Sequence, residues 1–299
     1  MTMLCTLPGG HFAEDGTLHR TAELKELSGR EEELLVGRST TRSAGRVSEV
    51  LSRCVARIGA IQPVTTDLAR GLLVADRQFL LLKLREISIG SRINGTVHCP
   101  WPACGAKVDV DFSTTDVPVT AAEDPAPTYT IELADDAWLD DGAPARAQSV
   151  TFRLPTGADQ EALEDLVAQN AAEGLTALLD RCVVIDAPDG ASQPFDAGSL
   201  SSRGRMRLER AMEERAPSVS LEMSMTCPDC GRGFAIPFDL QDFFFGELRT
   251  TGDLLRRQVH YLAFHYHWSE REILDLPREK RLSYISVLAE EIEALNHAV

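Results

Sequence analysis

The sequence predicts an α+β protein with a helical N-terminal domain, a split cysteine-rich ribbon that carries an inserted α/β module, and a helical C-terminus. Three observations predict this class. Apolar residues recur at helical spacing near both ends of the chain, strand-like alternation and proline-rich turns fill the middle, and two short cysteine pairs flank that middle. The predicted segments are 1–91 for the N-terminal strand and helices, 92–112 and 219–240 for the two ribbon halves, 113–218 for the inserted module, and 241–299 for the C-terminal helices.

The composition is typical of a globular protein with a sizeable core. The 299 residues include 43% hydrophobic and 25% charged side chains. The longest apolar runs, such as Phe79–Leu82, are far shorter than the about 20 residues that a membrane span needs. The first residues lack a basic stretch followed by an apolar one, so no secretory signal is predicted. We therefore expect a soluble protein made in the cytoplasm.

The N-terminal segment predicts one strand followed by helices. Thr17–Leu27 has strand character, and Ser28 with Glu31 forms a capping box for the first helix. Three- and four-residue spacing predicts an amphipathic helix over Val47–Ile58. Pro63 interrupts the pattern, and a second helical zone follows with Asp76 as its expected cap.

The middle and the end of the chain alternate between strands, loops and helices. Pro277 separates the last long helix from a short one that a second capping box, Ser269 with Glu272, begins. The remaining predicted elements are strands at Thr128–Leu133, Ser149–Leu154 and Ser218–Met225, helices at Ala158–Leu179 (interrupted near Gly174), Ser202–Arg215, Leu254–Trp268 and Glu279–Leu295, and loops at Asp140–Gly142 and Pro188–Ser202.

Four of the seven cysteines form two close pairs, and these carry the strongest chemical signal. In a reducing cytoplasm, such pairs indicate a metal before a disulfide. In both pairs a proline follows the first cysteine, a glycine follows the second, and apolar residues come four, six and eight positions after the second cysteine. Period two places each apolar trio on one face of a strand. The pairs are Cys99 with Cys104 and Cys227 with Cys230, and the trios are Val108, Val110 and Phe112 and Phe234, Ile236 and Phe238.

Each cysteine turn supplies half of a tetrahedral ligand set. Two thiolates can reach one zinc ion at about 2.3 Å only if the backbone curls around it, and a glycine after the second cysteine permits the positive φ that ends the curl. We therefore predict one zinc ion held by Cys99, Cys104, Cys227 and Cys230, which makes the segment a split four-cysteine zinc ribbon. Four cysteines fill the coordination shell and leave no position for an activated water, so the predicted zinc is structural.

Alternatives to this site are a redox dithiol at Cys227 and Cys230 and a ligand role for His98. A redox site needs no second copy, and His98 occupies the position of Thr226 in the other turn, so it fits a strand surface better. The single cysteines, Cys5, Cys54 and Cys182, sit in apolar surroundings and are predicted to be core residues.

The charge balance disfavours a nucleic-acid partner. Lys and Arg total 30 against 46 Asp and Glu, which gives a net charge of -16 that repels phosphate backbones. The ribbon offers Lys107 and Arg232 without the basic, aromatic stripe that such binding requires. The stretch from Asp109 to Asp141 contains no Lys or Arg and is interpreted as solvated acidic loops, since its acids lack calcium-loop spacing.

No motif in the sequence indicates an enzyme, and no catalytic residue is predicted. The cluster His260, His265 and His267 lacks the His-Glu-x-x-His arrangement, and on a helix the last two would point about 200° apart. We expect packing and helix-end roles for these histidines. A phosphate-binding glycine loop and a Gly-x-Ser-x-Gly motif are absent from the sequence.

Three segments, 16–35, 76–90 and 267–277, resemble bacteriophage tail-assembly and baseplate proteins, which occur in contractile phage tails and phage-tail-like injection systems. The similarity covers the first ninety residues, the ribbon and the last fifty residues, and matches 113–218 poorly. The resemblance implies a non-enzymatic role as a baseplate component or as an assembly chaperone, with tail or baseplate proteins as partners. A nucleic-acid-binding ribbon and a metal- or thiol-dependent enzyme are the alternative classes.

Overall fold

The computed structural model of the chain describes residues 2–36, 43–139, 149–186, 192–220, 222–237 and 252–297. Its N-terminal part is built on an antiparallel sheet of β1 (Thr2–Phe12), β2 (Leu18–Lys25) and β3 (Val55–Ile58), with β2 in the centre. This confirms the strand predicted at Thr17–Leu27. The mixture of helix and strand along the described chain confirms the α+β class. The N-terminal part, predicted to be a helical domain with one strand, contains three strands as well as its helices.

Four helices pack with this sheet around the first core. They are α1 (Gly29–Val36), α2 (Ser43–Cys54), α3 (Thr66–Gly71) and α4 (Val74–Ser88). The core contains fully buried leucines from sheet and helices, among them Leu24, Leu51 and Leu81. The Glu31 half of the predicted capping box is present, since the Ser28 amide donates to Glu31 Oε2 at 3.0 Å, while the Ser28 hydroxyl oxygen accepts the Arg30 amide at 3.3 Å.

The predicted helix over Val47–Ile58 is wrong in its last turn. The helix ends at Cys54, and Val55 and Ile58 lie in β3, where Ile58 pairs with Ala22 of β2. Val55 and Ile58 are buried in the strand, and a helix with this apolar face would bury them too, so the spacing could not distinguish strand from helix. Pairing with β2 decides for the strand, which suits β-branched side chains.

The expected cap role of Asp76 is also wrong. Asp76 lies inside α4, whose cap position is Leu73, and its buried carboxylate accepts the amides of Gly9 at 2.8 Å and Gly10 at 3.0 Å. Strand β1 shifts register between Thr6 and His11, which leaves these amides without ladder partners. The Asp76 carboxylate, which the local pattern assigned to the helix N-terminus, therefore binds the backbone of a bulge 66 residues away along the chain.

The inserted segment contains its own sheet and core. Strands β7 (Tyr129–Glu132), β8 (Ser149–Phe152), β9 (Val183–Asp186) and β10 (Ser192–Pro194) form an antiparallel sheet in the order β10-β9-β8-β7. Helices α5 (Gly157–Gln169), α6 (Ala171–Cys182) and α7 (Ser202–Arg215) accompany it. Buried Phe152, Leu179 and Leu208 belong to this second core. The strands predicted at 128–133 and 149–154 are confirmed, as is the helix at 202–215.

Two details of this segment differ from prediction. The helical stretch breaks at Asn170, not near Gly174, because the Asn170 side chain accepts the amides of Ala172 and Glu173 at 3.1 and 3.3 Å and so caps α6. The predicted loop 188–202 contains β10, which pairs with β9. The predicted loop 140–142 lies outside the described residues.

The two ends of the insertion meet. Strand β6 (Val119–Thr120) pairs with β11 (Ser218–Val219), and the Ser220 amide donates to the Pro118 carbonyl at 2.9 Å. The single strand predicted over 218–225 is therefore two, since the chain leaves β11 and continues in β12 (Glu222–Thr226), which pairs elsewhere. Local alternation cannot show that one run serves two sheets. The boundaries of the five predicted segments stay predictions.

The C-terminal helices are α8 (Gly252–Tyr266), α9 (Glu270–Leu274) and α10 (Arg278–His297). The second capping box is present, with the Ser269 amide donating to Glu272 Oε2 at 2.9 Å. A buried ion pair joins α10 to α1, where Arg281 Nη2 lies 2.7 Å from Glu32 Oε1. Among the described residues, none of the helices is both long and apolar enough to cross a membrane.

Candidate metal centre

Two antiparallel hairpins carry the predicted ligands. Strands β4 (Arg92–His98) and β5 (Lys107–Ser113) form the first, and β12 and β13 (Gly233–Pro237) form the second. In both, an apolar cross-strand pair lies beside the cysteine turn: Val97 opposite Val108, and Met225 opposite Phe234. Side chains alternate along β5, where Val108 and Val110 are buried and Asp109 is exposed, as period two predicts. Phe238 lies outside the described residues.

Backbone hydrogen bonds shape the two turns alike. The Cys99 amide donates to the Ala106 carbonyl at 2.8 Å, and the Cys227 amide donates to the Arg232 carbonyl at 3.0 Å. Gly105 and Gly231, which follow the second cysteine of each pair, adopt φ values of +60° and +69°. The left-handed backbone conformation predicted for these glycines is therefore present, and residues with a Cβ rarely adopt it.

The four cysteines of the two turns come together. Their Sγ atoms all lie within 4.8 Å of one another. Across the hairpins, Cys99 Sγ lies 3.8 Å from Cys230 Sγ and Cys104 Sγ lies 3.7 Å from Cys227 Sγ. All four are free thiols. The cluster thus joins segments more than 120 residues apart along the chain and could hold a metal ion.

The cluster is buried on one side and open on the other. Cys227 and Cys99 are buried, Cys104 is half-buried and Cys230 is exposed. Val108 and Phe234 pack against the sulfur atoms from their own hairpins. On the outside, the Arg232 guanidinium lies 5.3 Å from the centre of the Trp101 ring, which adds a cation–π contact between the two turns. This contact was not predicted, since nothing in the sequence of either turn indicates which side chain of the other turn it will meet.

The local surroundings separate the thiols by acidity. The backbone amide of Cys230 donates toward the Cys227 sulfur and lowers the pKa of the Cys227 thiol to about 7, although burial opposes this and the Asp229 amide assists. Burial raises the pKa of the Cys99 thiol to about 12. Thiolates are the metal-binding form, so binding of an ion would deprotonate all four thiols.

The other predicted candidates stand apart from this cluster. Cys54 and Cys182 are buried in the first and second cores and Cys5 packs against the first, as expected. Burial raises the pKa of both Cys5 and Cys182 to about 11, so these thiols stay protonated. His98 is an exposed strand residue.

The histidines near the C-terminus pack against aromatic rings. The rings of His260 and Phe264 lie 6.4 Å apart, and those of Tyr261 and His265 lie 4.9 Å apart. His267 adopts a φ of 56° just after α8, which fits the expected helix-end role. Within the part of the chain that the structure describes, the four cysteines are the group arranged to hold a metal ion.

A family model described as T4 bacteriophage base plate protein matches residues 5–245. The match includes 113–218, which the sequence resemblance covered poorly, and ends before the 267–277 segment. No curated protein and no solved structure matches the chain.

Proposed function

The chain belongs to the T4 bacteriophage base plate protein family, and from this premise we propose that it is a non-enzymatic component of a phage-tail-like contractile particle. It acts either as a baseplate subunit or as an assembly chaperone, through contacts with tail or baseplate proteins. The protein is made in the cytoplasm and, as a subunit, is incorporated into the particle. The family match over most of the chain carries this proposal.

We further propose that Cys99, Cys104, Cys227 and Cys230 hold one structural zinc ion. Four sulfur atoms about 2.3 Å from a central zinc form a tetrahedron with edges of about 3.8 Å. The two cross-hairpin Sγ distances are 3.8 and 3.7 Å, so the cluster fits that size. Zinc would supply no reaction step here, because four thiolates complete its coordination.

The role of this zinc is to hold the ends of a long insertion together. The hairpin β4–β5 precedes the insertion and the hairpin β12–β13 follows it. Among the described residues, the only strand pairing between the two ends of the insertion is the two-residue ladder of β6 and β11. Each hairpin alone is marginal in water. A shared metal therefore stabilises both hairpins and fixes where the module leaves and rejoins the rest of the chain.

Two measurements test these proposals separately. Metal analysis of protein purified without chelators should find one zinc per chain, and a zinc-free preparation that folds equally well would contradict the structural site. Deleting the gene from its particle-producing host should abolish or impair particle assembly. Normal particles in the deletion strain would contradict the assembly role, and mass spectrometry of purified particles distinguishes a subunit from a chaperone.

The alternative of a nucleic-acid-binding ribbon predicts a salt-dependent gel shift. The Arg232 guanidinium of one turn already contacts the Trp101 ring of the other turn, so this cation is used within the ribbon. No observation on the described chain favours this class over assembly.

A further inference from the structure

We infer that an open apolar cleft between the N-terminal helices and the inserted module is the docking site for a basic amphipathic helix of another protein. This inference rests on the proposed assembly function and names the kind of partner. The cleft has a volume of about 1200 Å³. Small-molecule sites typically occupy about 300–1000 Å³, so this cleft has room for a peptide segment.

The cleft is lined by four helices, α2, α4, α5 and α6, and by the segment 216–219 that includes β11. Helix α4 contributes Val74. Leu163 and Val167 are four residues apart on α5, and Leu175 and Leu178 are three apart on α6, so each pair lies on one helix face. The two helices therefore present a continuous apolar wall.

The fold leaves part of this wall exposed. Leu178 packs partly against the core of the inserted module, whereas Val167 and Leu175 keep 49% and 39% of their surface exposed. Gly174 permits this arrangement, since a Cβ at that position would lie 2.6 Å from a methyl group of Val167. Close approach of α5 and α6 thus places two large apolar side chains at the lip of an open cleft. An amphipathic helix would cover them in the helix-in-groove mode.

The charges around the cleft select a basic occupant. The described lining contains no Lys or Arg. Of its two carboxylates, Asp159 is buried and bound by Arg153 and Arg181, so Glu164 is the one left to act on an occupant. Glu164 lies at the rim, where it accepts the amides of Ser43 and Ala44 at 2.9 and 3.3 Å, and exposed Glu173 begins α6 nearby in sequence. The chain as a whole carries a net charge of -16. Lys or Arg flanking an apolar stripe would be attracted by this field.

A second copy of the chain is a poorer occupant. The longest of the described helices, α10, carries Glu290, Glu291 and Glu293 toward its C-terminus. In a second copy of the chain, these carboxylates would be repelled by the acidic residues near the cleft. The charge pattern therefore favours a different protein.

The test uses the full-length protein and an 18-residue fluorescein-labelled peptide of leucine and lysine, with leucines at helical spacing. Two further peptides serve as probe controls: one of the same composition with the leucines dispersed around the helix, and one with glutamate in place of lysine. Fluorescence anisotropy should show saturable binding of the first peptide, weakened by salt, and no comparable binding of the other two. Equal binding of the dispersed peptide would overturn the inference, because it would reduce the interaction to net charge.

Matched variants locate the binding. Leu175→Gln removes an exposed apolar side chain from the cleft without changing charge, and Met206→Gln removes one from α7, where Met206 is 66% exposed outside the cleft. Leu175→Gln should weaken peptide binding at least about fivefold, while Met206→Gln should leave it unchanged. An equal effect of both variants, or of neither, would overturn the inference. So would a dimer of the unmodified protein that Leu175→Gln dissociates, since the occupant would then be a second copy.

A cellular measurement separates this inference from the proposed function. If the cleft serves assembly, Leu175→Gln should reduce particle yield and Met206→Gln should not. Normal yield with Leu175→Gln in a host where gene deletion abolishes particles would overturn the cleft inference and leave the assembly role intact. Normal yield after deletion would remove the assembly role itself.

Discussion

The buried ion pair between Glu32 and Arg281 predicts that one substitution on α1 loosens the C-terminal helices. Glu32 is 1% exposed and Arg281 is fully buried, and their closest N–O distance is 2.7 Å. The carboxylate also accepts from Arg278 Nη1 at 2.9 Å. Arg281 donates from Nε to Gln258 of α8 at 2.8 Å, so one guanidinium connects α1, α8 and α10.

The expected cost of Glu32→Ala follows from leaving a buried cation without its counter-charge. Two unit charges about 4 Å apart interact by about 4 kcal/mol at an effective dielectric constant of 20. Removing one partner of a buried pair typically costs about 3–5 kcal/mol, so we expect a loss in this range. Replacing both residues with apolar ones, as in Glu32→Leu with Arg281→Met, should cost less, because the fully buried cation is then removed together with its counter-charge and only Arg278, 18% exposed, loses its partner.

Urea unfolding monitored by circular dichroism measures the cost, and hydrogen exchange of 252–297 shows where it falls. The exposed pair Arg30 and Asp275 provides a matched control, because it also joins α1 to the C-terminal helices but its side chains are 43% and 50% exposed. Asp275→Ala should cost less than about 1 kcal/mol. The reasoning fails if Glu32→Ala costs no more than Asp275→Ala, or if the effects of Glu32→Ala and Arg281→Ala are additive.

Three further predictions concern the metal site and the inserted module. Cys227→Ser should abolish stoichiometric zinc binding and lower the melting temperature, since three thiolates hold the metal less tightly than four. Cys182→Ser should leave the zinc content unchanged. Plasma mass spectrometry measures the zinc content, and calorimetry measures the melting temperature. Burial would raise the pKa of Asp159, but bonds from Arg153, the Thr156 amide and Arg181 outweigh it and hold this pKa at about 2 against 3.8 unfolded. The stabilisation of about 2 kcal/mol is therefore present above about pH 4 and lost as pH falls toward 2, so the cost of Asp159→Asn in urea unfolding should shrink over that range. Gly204→Ala should destabilise the protein by about 1–3 kcal/mol in the same assay, because a Cβ there would lie 2.0 Å from the Ala137 carbonyl oxygen.

Each of these has a result that would contradict it. Full zinc occupancy of the Cys227 variant would exclude it as a ligand. A cost of Asp159→Asn that does not change with pH would show that its ion pairs contribute nothing in the folded state. For glycine, Gly95→Ala is the control, because a Cβ on Gly95 meets nothing within 4 Å; equal costs at the two sites would show that steric contact is not the cause.

The cysteine turns show how much of the candidate site could be predicted. The sequence repeats the same proline and glycine positions and the same strand phase at both cysteine pairs. The structure has the strands predicted after each turn and the positive φ values at Gly105 and Gly231. The contact between Trp101 and Arg232 could not be predicted, because it depends on how the two turns face each other.

Local patterns along the chain determined most elements of this protein: the two capping boxes, the strands at 18–25 and 129–132, and the helices at 202–215 and 278–297. These depend on neighbours within a few residues, so sequence suffices. Only the tertiary structure decided that Val55 continues in a strand, that Asp76 binds the amides of a bulge, and that Leu175 is left at the lip of an open cleft. In each case the side chain or backbone group has two acceptable local states, and a partner from a distant part of the chain determines which one forms.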